Sequence, residues 1–146
     1  MEQSKKQLKT LSIVLLALAG LTLLNAIFEL VFGSVANAEI PEGSPDNILL
    51  ITQIFLAVVT VLLLLPQVYV GLKGLKMAKN PDSSKGHIVW ATILFVLSVI
   101  SMISPIVAAI KQEDVLHNIA GACSILVEVT IFFNYIYHAR IVSKGN

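Results

Sequence analysis

The sequence predicts an all-α membrane protein: an antiparallel four-helix transmembrane bundle with both termini cytoplasmic. Three observations predict it. Apolar residues make up 56% of the chain and charged ones only 13%, with a mean hydropathy of +0.85, outside the range of soluble globular domains. Four apolar segments, at about 11–32, 48–72, 88–110 and 119–137, each come close to the ~20 residues that cross a hydrocarbon core as a helix. Nine of the ten Lys and Arg residues then fall on one side of the four segments, which the positive-inside rule makes cytoplasmic.

The first helix, Leu11 to Phe32, follows Lys5, Lys6 and Lys9. The stretch after it, GSVANAEIPEGSPD from Gly33 to Asp46, contains Ala36-Asn37-Ala38, an A-x-A triplet of the kind a signal peptidase cuts. A signal peptide has an apolar run of about 7 to 15 residues. This run has 22 and carries Asn25 and Glu29 towards its far end, so it reads as a retained helix. The stretch is then an external loop in which Pro41, Gly43, Ser44 and Pro45 form turns.

The second helix, Ile48 to Leu72, leads into GLKGLKMAKNPDSSKGH, Gly71 to His87. Its repeated Gly-Leu-Lys, followed by Asn80-Pro81-Asp82 and Ser83-Ser84, predicts a helix end, a turn and a capped restart. Lys73, Lys76, Lys79 and Lys85 are candidates for anionic lipid headgroups, at about 1 kcal/mol each, and they also enforce orientation. The third helix, Ile88 to Ile110, contains Pro105 as the second contains Pro66; each proline frees a backbone carbonyl and can bend its helix.

The fourth helix, Ile119 to Tyr137, ends before Arg140 and Lys144. On the opposite side Glu39, Glu42, Asp46, Glu113 and Asp114 face only Lys111. Tyr69, Trp90, Tyr135 and Tyr137, all the Tyr and Trp of the chain, fall at the lysine-rich ends of helices 2 to 4, where an aromatic belt is expected. The expected location is the cell membrane, as a multi-pass protein.

Connections of about 15, 15 and 8 residues leave no room for a separate domain of the usual ~100 residues, so 1–146 reads as a single four-helix domain without an extramembrane catalytic unit. The lone Cys123 excludes an intrachain disulfide and any Cys-x-x-Cys site. No Ser-His-Asp, His-Glu-x-x-His or paired-carboxylate pattern supplies catalytic residues. His117 near Glu113 and Asp114 lacks fixed ligand spacing, and His87 and His138 sit among the charges of the lysine-rich side. Neither an enzyme activity nor a metal, a cofactor or a nucleic-acid partner is expected.

The informative pattern lies within the helices. Gln53, Ala57, Thr60, Leu64, Gln67, Gly71 and Gly74 recur at alternating spacings of four and three, one face of helix 2. Helix 4 repeats this with His117, Gly121, Ser124, Glu128, Ile131, Tyr135 and His138. Helix 3 carries Ala91, Leu94, Ser98, Ser101, Pro105 and Ala108, and helix 1 carries Thr22, Asn25 and Glu29. These polar and small faces are expected to meet inside the bundle, leaving Leu62, Val96 and Val127 towards lipid.

Packing does not readily account for Glu128. At 1.5 Å per residue it lies ~16 Å below an outer boundary at His117, near the bilayer midplane, and no Lys or Arg occurs in the four segments. A carboxylate there is protonated, hydrated or paired. One reading makes it a hydrogen-bond partner of Asn25 or Ser101 that fixes helix register. The other makes Glu128, with Asn25, Glu29, Gln53, Thr60 and Ser101, a ligand, cation or proton site opening outward.

In architecture alone, four short helices with an intramembrane acid resemble the small multidrug-resistance exporters, which exchange protons for cations as dimers. That family places its essential acid mid-membrane in helix 1, whereas Glu29 lies near the outer end and the loops here are longer. The functional expectation is therefore a small accessory, binding or immunity-type subunit acting through a protein or lipid partner or a second copy of itself. A proton- or cation-coupled small transporter using Glu128 is the alternative.

Overall fold

The computed structural model describes residues 1–32, 48–81, 85–111 and 115–144; within its helices the side chains of Glu29, Leu30, Phe32, Leu49, Leu50, Gln53, Leu56 and His117 are not described. The described residues are all helical apart from short turns. Five elements follow in order: α1 (Glu2–Phe32), α2 (Ile48–Lys79), α3 (Gly86–Ser101), α4 (Ile103–Ile110) and α5 (Val115–Lys144). As α3 and α4 form one path broken at Met102, there are four spans long and apolar enough to cross a membrane.

The helices are longer than the apolar runs suggest. At 1.5 Å per residue the 31 residues of α1 extend ~46 Å, against a hydrocarbon thickness of ~30 Å. The extra length lies at the lysine-rich ends. There α1 begins at Glu2 rather than Leu11, α2 continues past Leu72 to Lys79, and α5 continues past Tyr137 to Lys144. The Gly-Leu-Lys repeat is therefore not a helix end: Gly71 and Gly74 are buried within α2, which closes with the Asn80 N–H bonded to the Lys76 carbonyl at 2.8 Å. Lys85 is the N-cap of α3 and makes no side-chain cap. The expected caps Ser83 and Ser84, and the loop Gly33 to Asp46, lie outside the described residues.

Pro105 explains the break in the third span. It has no N–H to offer the Ser101 carbonyl, and its ring crowds that same carbonyl, so α3 ends at Ser101 and the path resumes at Ile103. The bond across the break, from the Ile106 N–H to the Met102 carbonyl, is stretched to 3.4 Å. Pro66, by contrast, lies inside an uninterrupted α2.

Around the bundle, α1 packs on α2 and α5, and α3 packs on the same two helices, while α2 and α5 meet across the diagonal. Among the described residues the core lies at the lysine-rich end. It consists of Leu8 and Leu15 from α1, Val70 and Met77 from α2, Ile88 and Ala91 from α3, and Phe132, Tyr135, Ala139 and Val142 from α5. Away from that end the packing opens: α4 has no buried residue, and Leu21 to Asn25 of α1 are exposed without interruption. The asymmetry is the one expected of spans placed in a bilayer: near water, burying Leu8, Met77 and Val142 would remove apolar surface from solvent, whereas in hydrocarbon a Leu gains nothing by exchanging lipid for protein.

Candidate functional site

Among the described residues, side-chain bonds to backbone join the helices. Gln67 Nε2 on α2 donates to the Leu15 carbonyl on α1 at 3.1 Å, and the Tyr135 hydroxyl on α5 donates to the Val70 carbonyl on α2 at 2.8 Å. A helix carbonyl can accept a second bond because it has two lone pairs. The approach is possible because Gly71 and Gly74 have no side chain. A Cβ on Gly71 would sit 2.7 Å from Leu16 Cγ, and one on Gly74 would sit 2.7 Å from a Tyr135 ring carbon and against the Ser12 hydroxyl. Tyr135 thus packs inward instead of joining an aromatic belt, while Trp90 and Tyr137 are exposed.

His87 is also drawn inward. Placed by sequence among charges, it is fully buried at the start of α3, edge-on to Tyr135 with ring centroids 6.1 Å apart. His138 lies edge-on to Tyr137 at 5.1 Å, and its Nδ1 is buried without a hydrogen-bond partner among the described residues.

Glu128 sits at the upper edge of this core. It is half-buried, and its carboxyl group lies beside the side chain of buried Ser98 on α3, near enough to interact with it. Ser98, not Ser101, is therefore the partner from the third span. Ser101 is exposed at the end of α3 and returns its hydroxyl to the Leu97 carbonyl at 2.9 Å, because the packed face of this span stops at Ser98. Asn25 is exposed on α1 and Thr60 half-buried on α2, while the side chains of Glu29 and Gln53 lie outside the described residues.

The face assignment holds for α2, where Thr60, Leu64 and Gln67 are at least partly buried and Leu62 is 58% exposed. It also holds for Val96 and Val127, at 47% and 59% exposed, but it fails at Ser101 and Ser124, which are exposed. On α1 the packed face is Ser4, Leu8, Ser12, Leu15 and Ala19, not the exposed Thr22 and Asn25. The four lysines lie on the last turns of α2 or at the start of α3. Lys73 stands over the Tyr69 ring at 5.7 Å, and Lys76, Lys79 and Lys85 are exposed.

Away from the core, apolar grooves remain. One of about 410 Å³ lies between α4 and α5, lined among others by Pro105, Ala109, Ala122, Cys123 and Leu126. Another of about 300 Å³ lies between α1 and α2 at Ala26, Ala57 and Val61. Among the described residues no group of three or more His, Cys, Asp or Glu is arranged to hold a metal ion. Compared with protein-family models, with curated proteins and with solved structures, the chain finds no match.

Proposed function

We propose that this chain is a non-enzymatic accessory, binding or immunity-type subunit of the cell membrane, with both termini cytoplasmic, acting through a partner's transmembrane helix. The observation that carries the reading is the uneven packing: a closed core at the lysine-rich end and open apolar grooves beyond it. The groove between α4 and α5 is lined by Ala109, Ala122 and Cys123, small residues of the kind that let another helix backbone approach closely. Its walls are short of polar groups, which suits helix packing better than recognition of a polar solute.

The test fills the groove. Ala122→Phe should abolish stoichiometric co-purification of a partner from native membranes in mild detergent, while Val127→Phe, on an exposed position, should not. Retention of the same partner by Ala122→Phe would sink the reading. The second reading, proton- or cation-coupled transport, is favoured by the half-buried Glu128 beside Ser98. It predicts cation-driven proton movement into vesicles containing the purified chain alone, lost in Glu128→Gln.

A further inference from the structure

We propose that the lysine-rich end of α5 binds one anionic phospholipid, its phosphate on Arg140 and Lys144 and the upper part of its acyl chain on Phe133 and Tyr137. The inference is independent of the partner reading and rests on the spans lying in a bilayer with this end at one interface. A groove of about 260 Å³ runs along the helix, lined by Phe133, Ile136, Tyr137, Arg140, Ile141 and Lys144. Phe133, Tyr137, Arg140 and Lys144 follow at spacings of four, three and four, which keeps them on one face. Along that face the chemistry changes in the order of a lipid: an apolar ring, a phenol, then two cations.

The cations are open to a ligand. Arg140 and Lys144 are exposed, and among the described residues the ion pair is that of Lys5 with Glu2 at the start of α1, with no carboxylate of those residues neutralising them. Helix direction aims them. Side chains lean towards the N-terminus of their own helix, and α5 runs from the open end to the lysine-rich end. Arg140 and Lys144 therefore lean back over the groove towards the hydrocarbon, whereas Lys6 and Lys9, on the oppositely directed α1, lean away from it. A guanidinium can meet two phosphate oxygens at once, and Tyr137 offers a hydroxyl at ester level.

Phe133 and Tyr137 are 59% and 56% exposed, and Phe95 of α3 lies 6.3 Å from the Phe133 ring, extending the apolar wall to a second helix. The groove falls below the ~300 to 1,000 Å³ of pockets that enclose a whole small ligand, so it holds a headgroup and the adjoining chain with the rest in the bilayer.

The test measures phosphatidylglycerol retained on the purified chain by native mass spectrometry, with thermal stabilisation by the same lipid as a second readout. Arg140→Gln/Lys144→Gln should weaken retention by about 30-fold, the two-residue effect expected for cations at an anionic surface. Lys6→Gln/Lys9→Gln, with the same loss of charge, should leave it unchanged. Tyr137→Ser should weaken it several-fold with all charges kept, and phosphatidylcholine should be retained poorly by every form. Equal retention by the wild type and Arg140→Gln/Lys144→Gln overturns the proposal, as does an equal loss in Lys6→Gln/Lys9→Gln. Stabilisation by inorganic phosphate equal to that by the lipid also overturns it, since the site would then be one for a free anion.

Discussion

The Tyr135 hydroxyl on α5 donates a 2.8 Å hydrogen bond to the Val70 carbonyl on α2, joining the diagonal pair of the bundle through a fully buried ring. Interhelical hydrogen bonds in membrane proteins contribute about 0.6 kcal/mol on average and up to about 1.7. Tyr135→Phe keeps the ring and loses the bond, so it should lower stability by about 1 kcal/mol, read as the thermal unfolding midpoint in detergent. Tyr137→Phe, at an exposed ring, is the control and should be neutral. Equal midpoints for Tyr135→Phe and wild type would show that the diagonal contact is held by packing alone.

The two glycines beside that bond respond differently from a third. Gly74→Ala drives a methyl into the Tyr135 ring and Ser12, and Gly71→Ala drives one into Leu16; overpacking of this kind costs about 1 to 3 kcal/mol. A methyl at Gly20 meets nothing within 4 Å, so Gly20→Ala keeps only the gain in helix propensity and should be neutral or stabilising by up to about 1 kcal/mol. Ranking the three by thermal midpoint checks the helix contacts. A Gly74→Ala protein as stable as Gly20→Ala would contradict the close approach of α1, α2 and α5.

These contacts also show what could be read beforehand. Gln67, Gly71, Gly74 and Tyr135 all lie on the small and polar faces of the sequence, since in spans read as membrane-crossing such residues have little reason to occur except at a helix interface. The α1 face of Ser4, Leu8, Ser12, Leu15 and Ala19 was missed, although its spacing of four, four, three and four is helical. The reason is that hydropathy placed the helix start at Leu11, after the lysines, and so cut that face in two. The side chain beside Glu128 is one turn from the expected Ser101, since periodicity puts Ser98 and Ser101 on the same face of α3 and only the packing leaves Ser98 buried and Ser101 exposed. Where the core ends is set by packing among four helices, which no single helix period contains.

Topology has its own test. With nine of ten basic residues on one side, cysteines placed at Ser44 and Ser83 in a Cys123→Ser background should react with an impermeant reagent from outside and from inside the membrane, respectively. Reaction of both from the same side would remove the cytoplasmic placement of the termini and, with it, the expected four-pass arrangement.

The last prediction concerns Glu128, where the accessory and transport readings part. Its carboxyl group lies beside the Ser98 side chain, and an amide has the same length and can make the same contact, but it cannot exchange a proton. On the accessory reading the pair is a register-fixing contact between α3 and α5. Glu128→Gln should then keep stability within about 0.5 kcal/mol, whereas Glu128→Leu and Ser98→Ala should each lose about 1 kcal/mol and, when combined, lose less than the sum of the two. The melting midpoints of wild type and Glu128→Gln should also shift equally on moving from mildly acidic to mildly alkaline buffer and on adding hydrophobic cations. A cation-dependent stabilisation present in the wild type and absent in Glu128→Gln would overturn this. It would mean that the acid trades its proton for a ligand, because a residue that only holds two helices in register has no means of sensing a cation that its amide replacement lacks. In that case the half-buried Glu128 at the edge of the core becomes the coupling site of a transporter.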